Sequence, residues 1–238
     1  MSTTVQARDP RNTVNSRHRR RAPSLARVGQ GAVLDNRRAL YHPFENWLAV
    51  ADLHFGFELS AKTAGALYPG WGMEEVERRL TALMRDYKPK TLIIVGDLVE
   101  NRAATLQALA LLKRLRTTMN DARAPFELVL IAGNHDRRCL EADLLRDHHI
   151  TPSFCFYHGD RPEPEAAGSR ISIIGHFHPA ATVRDKAGLH LKLPAFVQDG
   201  TLWTLPAFSP WASGKEWEYA RAARVWLCGH GRILQLKH

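Results

Sequence analysis

A chain of 238 residues, of which 45% are hydrophobic, is long enough to bury a substantial core, and we expect one folded domain. The net charge of +9 does not by itself indicate a nucleic-acid partner, because residues 1–27 hold seven arginines and one acid and residues 28–238 carry only +3. No stretch is apolar enough for a secretory signal or a membrane span, and three cysteines without metal-ligand spacing predict reduced thiols in a cytoplasmic protein without membrane contact.

Residues 1–28 are predicted to be a disordered basic tail, and residues 29–238 the folded domain. The tail is rich in Arg, Ser, Thr and Asn and poor in large apolar residues, so it cannot bury enough surface to offset the entropy of ordering. Its charge has two interpretations. In the functional interpretation, the tail is an arm that attracts polyanions or a targeting sequence. In the other, which we favour, the tail is an extension without function.

The elements of the domain follow from turns, apolar runs and helical periodicity. Residues 32–41 predict a hairpin around a polar turn. Five apolar runs of strand length follow, at 47–51, 91–95, 127–132, 153–157 and 171–174. Apolar residues at helical spacing over 73–87 and 106–115 predict helices between strands, and this alternation indicates βαβ units. Three strands of a second sheet are predicted after Pro179, at 189–196, 202–205 and 224–227.

A short polar cassette follows each of the five apolar runs. The cassettes are residues 52–54 (DLH), 96–97 (GD), 133–136 (GNHD), 158–160 (HGD) and 175–178 (GHFH). Because ligands of α/β sheets bind beyond the carboxyl ends of the strands, we expect all five to meet in one crevice. Residues two apart on an extended backbone project to the same side, so Asp52 and His54 can both face the crevice, as can His176 and His178.

The cassettes supply carboxylate, imidazole and amide donors and no thiolate. This set suits divalent cations such as manganese, iron or zinc, and argues against a structural zinc knot. The two carboxylates Asp52 and Asp97 suffice for a pair of cations only if one of them bridges. Gly96 and Gly133 remove side-chain bulk where the backbone is expected to come close to the ions.

The order D-x-H, GD, GNH with a following acid, His and GHxH resembles the calcineurin-like metallophosphoesterase family over residues 30–235. The resemblance implies an α/β fold, with two sheets in a β-sandwich flanked by helices as αββα layers. It also implies two divalent cations, manganese being preferred over iron or zinc. The implied ligands are Asp52, His54, Asp97 and His178 for one cation, and Asp97, Asn134, His158 and His176 for the other. His135 would protonate the leaving group.

Within this family the chain is most similar to the ligase-associated DNA damage response endonucleases and their archaeal relatives. The similarity is carried by residues 51–56 (ADLHFG), 68–70 (YPG), 193–196 (LPAF) and 205–210 (LPAFSP), with Gly214 following. It implies a DNA substrate and an association with a ligase or helicase. Glu100 departs from the pattern, because such proteins often carry His at this position. What the subgroup implies about substrate binding near this residue therefore does not apply directly to this chain.

Two neighbours of His135 have predicted roles. Asp136 is expected to orient the His135 imidazole. Arg137 is expected to contact a substrate phosphate at the rim of the crevice, because a guanidinium group suits bidentate phosphate contacts.

Other residues allow a functional interpretation, but a structural one is favoured. Trp203, Phe208 and Trp211 would stack on bases of single-stranded nucleic acid, although packing in the core or on the surface is the preferred interpretation. His148 and His149 would contact a metal or phosphate, although a solvated helix end or loop is preferred.

The leading functional hypothesis is a two-metal phosphodiesterase or nuclease that acts on DNA in repair. A phosphomonoesterase acting on a nucleotide or small phosphorylated metabolite is the enzyme alternative, because the same two-cation centre serves both reactions. A non-catalytic binding scaffold with this fold is a third possibility, and the presence of His135 beside a full ligand set argues against it. The sequence does not specify an oligomeric state.

Overall fold

The computed structural model describes residues 25–66, 68–120, 126–184, 188, 190–212, 214–216, 220 and 222–236. Most of the predicted basic tail, residues 1–24, lies outside the described residues. Its last residues include a short strand, Leu25–Arg27, which pairs with the strand that follows. The division of the chain at residue 28 therefore stays a prediction.

Six strands form the first sheet and lie side by side in chain order. They are β1 (Leu25–Arg27), β2 (Val33–Asp35), β3 (Ala39–His42), β4 (Trp47–Val50), β5 (Thr91–Val95) and β6 (Glu127–Ile131). The antiparallel pair β2 and β3 confirms the predicted hairpin, whereas β4, β5 and β6 run parallel. Parallel strands require crossovers. Helices α1 (Phe57–Thr63) and α2 (Gly72–Tyr87) connect β4 to β5, and α3 (Thr105–Asn120) connects β5 to β6.

The two long helices cover the outer face of the first sheet. Their apolar residues recur at helical spacing, so Leu80 and Leu83 of α2 and Leu111 of α3 share one buried cluster with Leu92 and Ile94 of β5. Both helices confirm the predictions from periodicity, whereas α1 was not predicted. In the part of the chain that the structure describes, the α-helices pack on this side of the sandwich only.

Nine strands form the second sheet. They are β7 (His148–Ile150), β8 (Phe154–Tyr157), β9 (Ile171–Ile174), β10 (Pro179–Arg184), β11 (His190–Asp199), β12 (Leu202–Thr204), β13 (Lys215–Glu216), β14 (Arg224–Gly229) and β15 (Arg232–Gln235). Their spatial order is β13-β10-β11-β12-β9-β8-β7, with β14 paired to β11 and β15 to β14. The sequence predicts a second sheet only after Pro179. The structure also places β8 and β9 in this sheet, which the periodicity of apolar residues does not predict.

Aromatic residues fill the space between the two sheets. Trp47 of the first sheet contacts Phe154 and Phe156 of the second, with ring centroids 4.9 Å and 5.0 Å apart. Trp203 is buried in the same cluster, and Phe208 is buried beneath the helices, so packing is confirmed for both. These two sheets with flanking helices confirm the predicted α/β fold class of a two-sheet sandwich, whereas the second helical layer of the αββα pattern is not formed by the described α-helices, which all lie on the first sheet.

Two smaller predictions have different outcomes. A helix end or loop at His148 and His149 is wrong, because both residues pair antiparallel with β8 as part of the edge strand β7. The three cysteines are free thiols, as expected, and two of them, Cys155 and Cys228, are buried. None of the described helices combines the length and hydropathy needed to cross a bilayer.

Strands from both sheets deliver the five cassettes to one edge of the sandwich. Three cassettes follow β4, β5 and β6 of the first sheet, and two follow β8 and β9 of the second. Backbone hydrogen bonds join neighbouring cassettes: Asp52 N donates to Gly96 O at 3.1 Å, and Gly175 N to His158 O at 3.0 Å. The crevice therefore lies between the ends of two sheets.

Candidate metal centre

The first group of converging donors consists of Asp52, His54 and His178. One ligand atom from each lies within 4.8 Å of the others. The Nε2 atoms of His54 and His178 are 3.2 Å apart, and Nε2 of His178 lies 3.4 Å from Oδ1 of Asp52. Asp52 is completely buried, so its charge requires compensation within the protein.

The second group consists of Asp97, His158 and His176, again within 4.8 Å. Nε2 of His158 lies 3.4 Å from Oδ2 of Asp97 and 3.3 Å from Oδ1 of Asn134. The two groups adjoin, because Nδ1 of His158 is 3.9 Å from Oδ1 of Asp52. The structure thus gathers all seven residues that the sequence predicts as ligands, and each group contains only members of one implied set, although Asp97 is found with the second group alone. The bridging role of Asp97 stays a prediction.

The backbone of these cassettes is strained where the donors lie. Five donor residues have φ in the left-handed region, which costs an L-residue about 1 to 2 kcal/mol. They are Asp52 (55°), His54 (42°), Asp97 (49°), His176 (67°) and His178 (47°). Such conformations persist only where the surrounding structure enforces them, and they concentrate at functional sites. Here the sharp bends turn each side chain into the crevice directly after its strand.

Two glycines leave room for donor side chains. A Cβ at Gly96 would collide with the ring of His158, and a Cβ at Gly133 would collide with the carboxylate and backbone nitrogen of Asp97. From the sequence, we expect these glycines to let the backbone come close to the ions. In the structure, the space is taken by the side chains of the donors themselves.

The hydrogen bonds of the histidines fit a site for cations. Nδ1 of His54 contacts Oε2 of Glu100 at 2.7 Å, and Nδ1 of His158 contacts Val95 O at 3.1 Å. Both partners are acceptors, so each Nδ1 carries hydrogen, and Nε2 is the atom of each ring that faces the centre, with a lone pair whenever the ring is neutral. At His158 this lone pair faces the oxygens of Asp97 and Asn134. Lone pairs at such distances repel each other unless a positive charge lies among them, and either a proton on the ring or a divalent cation supplies it.

The pKa values of His158 and Asp97 also show that this site favours a positive charge. Burial disfavours the charged ring of His158, yet its hydrogen bond to Asp97 and the charges of Asp52 and Asp97 raise the pKa of His158 to about 9. Burial also disfavours the Asp97 carboxylate, but the hydrogen bond and charge of His158 and the backbone N–H of His135 lower the pKa of Asp97 to about 2. A proton on His158 therefore supplies part of the charge for which a metal would compete.

His135 lies beside the donors at the floor of an open cavity of about 580 Å³. Its backbone N–H donates to Oδ1 of Asp97 at 3.0 Å, and its Nδ1 lies 3.0 Å from Glu100 O. A carbonyl oxygen can only accept, so Nδ1 is the donor and Nε2 is left to exchange a proton with a substrate. This arrangement supports the predicted role of His135.

The predicted contact between Asp136 and the His135 ring is not the one that the structure forms. Asp136 is fully buried, and burial raises the pKa of its carboxyl group. Its oxygens accept hydrogen bonds from the backbone N–H groups of Val99 and Gly133, at 3.1 Å and 3.2 Å. Asp136 therefore connects the loops after β5 and β6, and the Glu100 carbonyl holds the imidazole.

Arg137 is also held within the protein. Its guanidinium group donates to the Asp160 carboxylate and, at 2.7 Å, to Ala132 O. These bonds fix the cassette that carries His158 against the one that carries Asn134. A substrate phosphate, the contact that the sequence predicts, would have to compete with Asp160.

The site also contains Glu100, which the sequence marks only as a departure from the family pattern, and three aromatic residues, of which the sequence singles out Trp211 alone. The carboxylate of Glu100 bonds to His54 and lies 3.8 Å from Nδ1 of His135. Phe57, Tyr68 and Trp211 line the same cavity. The available sequence signal for Glu100 was its departure from the family pattern. The available signal for the aromatic residues was the similarity of segments 68–70 and 205–210 to the endonuclease subgroup.

Known proteins support the chemistry that this geometry indicates. The family model of the calcineurin-like phosphoesterases matches residues 47–231, a range that contains all five cassettes. The crystal structure of the Pseudomonas putida nuclease MPE is similar, with a TM-score of 0.68 and 29% sequence identity over 90% of this chain and 100% of that chain.

A second solved structure, that of the phosphoesterase YfcE from E. coli, has 14% identity and a TM-score of 0.38, with 76% of this chain and 86% of that chain covered, values too low to support a conclusion. No curated protein sequence matches this chain significantly. The family model nevertheless spans well over half of the chain, and the nuclease agrees with the predicted endonuclease subgroup. The chain therefore belongs to the calcineurin-like phosphoesterase family and is a metal-dependent phosphoester hydrolase.

Proposed function

We propose that this chain is a nuclease that hydrolyses phosphodiester bonds of DNA with the help of two divalent cations. The observation that carries the proposal is the position of the donor groups, which adjoin each other below an open cavity lined by His54, His135 and His178. The similarity to the P. putida nuclease over nearly the whole chain supports the choice of substrate.

The proposed ligands are those that the sequence implies. Asp52, His54, Asp97 and His178 would hold one cation, and Asp97, Asn134, His158 and His176 the other. Manganese is the cation that we propose, with iron or zinc as alternatives, because the donors are carboxylate, amide and imidazole groups. When bound, such a pair of cations neutralises phosphate oxygens and acidifies water, which is the chemistry that phosphoester hydrolysis requires.

The side chains around the donors would position and protonate the substrate. Nε2 of His135 is the proposed proton donor to the leaving oxygen, because Nδ1 of this ring is engaged with Glu100 O at 3.0 Å. Asp136 keeps the loops that carry Asp97 and Asn134 together through its two backbone contacts. The ion pair of Arg137 with Asp160 holds the His158 cassette in place, and we assign Arg137 this positioning role ahead of a direct substrate contact.

The shape of the cavity favours a diester over a monoester. A terminal phosphate needs room on one side of the phosphorus only, whereas this cavity of about 580 Å³ extends from the histidines to an aromatic wall and to Lys192 and Lys215. That space accommodates groups on both sides of a scissile phosphate. The phosphomonoesterase is the remaining alternative, because membership of an enzyme family removes the support for a scaffold.

Hydrolysis of two nitrophenyl esters tests this proposal. With manganese, iron or zinc supplied in turn, we expect bis-p-nitrophenyl phosphate to be hydrolysed with the higher kcat/KM and p-nitrophenyl phosphate with the lower. Cleavage of single-stranded and double-stranded DNA under the same conditions then tests the substrate. A strong preference for the monoester, together with intact DNA, would support the phosphomonoesterase instead.

A role in DNA repair, a ligase or helicase partner and a cytoplasmic location are further parts of the proposal. They rest on the similarity of residues 51–56 and 205–210 to the endonuclease subgroup and on the composition of the chain. Adjacent ligase and helicase genes would support the association. Co-purification of the full chain with such a ligase tests it directly, and failure to bind in that experiment would count against a stable complex.

Glu100 is expected to influence metal binding through His54. Its carboxylate accepts the Nδ1 hydrogen of His54 at 2.7 Å, which directs Nε2 to the donor group. Loss of such a partner typically lowers metal affinity by about 10- to 100-fold. We therefore expect Glu100→Ala to weaken the binding of one manganese ion by this factor in calorimetric titration, and Glu100→Gln, which retains an acceptor, to weaken it less. Equal affinity in all three proteins would contradict this role.

A further inference from the structure

The cavity above the donor groups has one aromatic side, which we call the aromatic wall and define as Phe57, Tyr68 and Trp211. The rings contact one another edge to face: the centroids of Phe57 and Tyr68, and those of Tyr68 and Trp211, are 5.2 Å apart with interplanar angles of 82°. Trp71 packs behind the wall, with its centroid 4.4 Å from that of Trp211, and does not line the cavity.

The wall is more exposed than packing alone would require. Tyr68 retains 44% of its accessible surface and Phe57 and Trp211 are half-buried, whereas Trp47 and Trp203 of the sandwich core retain 1% each. A cluster of partly exposed aromatic rings in a cavity beside reactive groups is typical of a ligand-binding surface. The catalytic machinery does not use these rings.

Trp211 is held in place by a buried carboxylate. Glu58, which is 5% exposed, accepts a hydrogen bond from Nε1 of Trp211 at 3.2 Å and one from the backbone N–H of Met73 at 2.7 Å. Gly72 leaves the space that the indole needs, because a Cβ at this position would collide with Nε1. A buried carboxylate with two partners fixes the orientation of the ring, which packing alone would not do.

The segment before Trp211 ties the wall to the donor groups. Phe208 N donates to Ala51 O at 2.7 Å, and Ser209 N donates to Asp52 O at 3.1 Å. The side chain of Arg79, buried beneath this segment, donates to Phe208 O. The position of the indole is therefore set relative to Asp52, the residue that contributes a donor to the first group.

The remaining groups around the cavity indicate what kind of ligand would cover the wall. Lys192 and Lys215 line it and suit phosphate oxygens, while the exposed carboxylate of Glu216 at the same rim discourages a second strongly acidic ligand. A molecule whose phosphoester lies over the histidines must present a planar, mainly uncharged group to the rings. In a polynucleotide that group is the base.

We propose that Trp211 and Tyr68 form a nucleobase subsite, in which the base next to the scissile phosphate stacks on the aromatic wall. This inference rests on the proposed function for its phosphoester substrate. It adds that the base, and not only the backbone, contributes to recognition beside the catalytic groups. Stacking of one base on an aromatic side chain contributes about 1 to 3 kcal/mol, which corresponds to roughly 5- to 150-fold in affinity.

Oligonucleotides that lack a single base test the subsite. A labelled thymidine oligomer carrying one tetrahydrofuran residue is incubated with the manganese-loaded full chain, and the cleavage of each bond is quantified. We expect about tenfold slower cleavage at a bond flanking the abasic residue than at the same bond in the unmodified oligomer. Trp211→Ala should abolish this discrimination, and Trp211→Phe, which keeps a ring, should retain much of it. Phe44→Ala serves as the matched control, because Phe44 is 86% exposed and does not line the cavity.

A binding measurement separates this inference from the proposed function. In the manganese-loaded His135→Ala chain, fluorescence anisotropy should report about tenfold tighter binding of a thymidine oligomer than of an all-abasic oligomer, and Trp211→Ala should reduce that ratio towards one. A Trp211-dependent preference without any DNA cleavage by the wild type would preserve the subsite and overturn the nuclease. DNA cleavage with a preference that is insensitive to Trp211 would overturn the subsite and preserve the nuclease.

Discussion

Replacement of Asp97 by asparagine is expected to remove metal from both donor groups and to abolish hydrolysis. The carboxylate lies 3.4 Å from Nε2 of His158 through one oxygen and accepts the backbone N–H of His135 through the other. Asparagine has nearly the same shape, but it lacks the negative charge and offers a single oxygen. If Asp97 bridges the two cations, both lose an anionic ligand at once.

The expected size of the effect follows from the charge that is lost. Removal of several kcal/mol of electrostatic stabilisation at a reaction centre corresponds to a loss of about a thousandfold or more in turnover. Elemental analysis of the purified protein should find about two metal ions per chain in the wild type and close to none in Asp97→Asn. Two ions still bound to the variant would rule out the bridging role.

Asp147→Asn is the matched control for Asp97→Asn. Asp147 is exposed, its carboxylate pairs with Arg161, and it is in neither donor group. The control loses one acidic charge, as the test variant does, and should keep its metal. Comparable thermal unfolding of the two variants would show that the loss of metal in Asp97→Asn does not result from a loss of fold.

The sequence predicts the parts of this site that are local. Each cassette follows a strand-length apolar run, as expected. The extended backbone expected within the pairs Asp52/His54 and His176/His178 is wrong, because all four residues have φ in the left-handed region. Since strands end at a common edge, their order along the chain was sufficient to bring Asp97 and His158 together. The assignment of β8 and β9 to the second sheet could not be predicted, because an apolar run carries no record of its pairing partner.

Contacts between distant residues explain the other misses. Glu100 reaches His54 across 46 positions in the chain, and Trp211 reaches Glu58 across 153. An aromatic residue such as Trp211 has the same appearance in a sequence as the buried Trp203, and only the packing of α2 against the 205–210 segment distinguishes them. Asp136 was assigned to its neighbour in sequence, His135, but its buried carboxylate satisfies backbone groups of two loops.

Replacement of His135 by alanine is expected to reduce DNA cleavage by about 10²- to 10⁴-fold while the metal content stays unchanged, because general acid catalysis contributes about this factor. His135 is in neither donor group that matches the implied ligand sets, and its Nδ1 is engaged with Glu100 O. An alkoxide leaving group needs a proton, whereas nitrophenolate leaves readily without one. Hydrolysis of bis-p-nitrophenyl phosphate should therefore decrease much less than DNA cleavage.

The ratio of these two activities distinguishes proton donation from a structural role for His135. A change that disturbed the donor groups would lower both activities together and would reduce the metal content measured by elemental analysis. His190→Ala is the control, since His190 is exposed on β11 and outside both groups. Equal losses on DNA and on the nitrophenyl diester would assign the His135 side chain a structural role and not proton donation, although the backbone N–H of residue 135 still donates to Oδ1 of Asp97. Because alanine preserves that N–H, the proton-donor role predicts unequal losses.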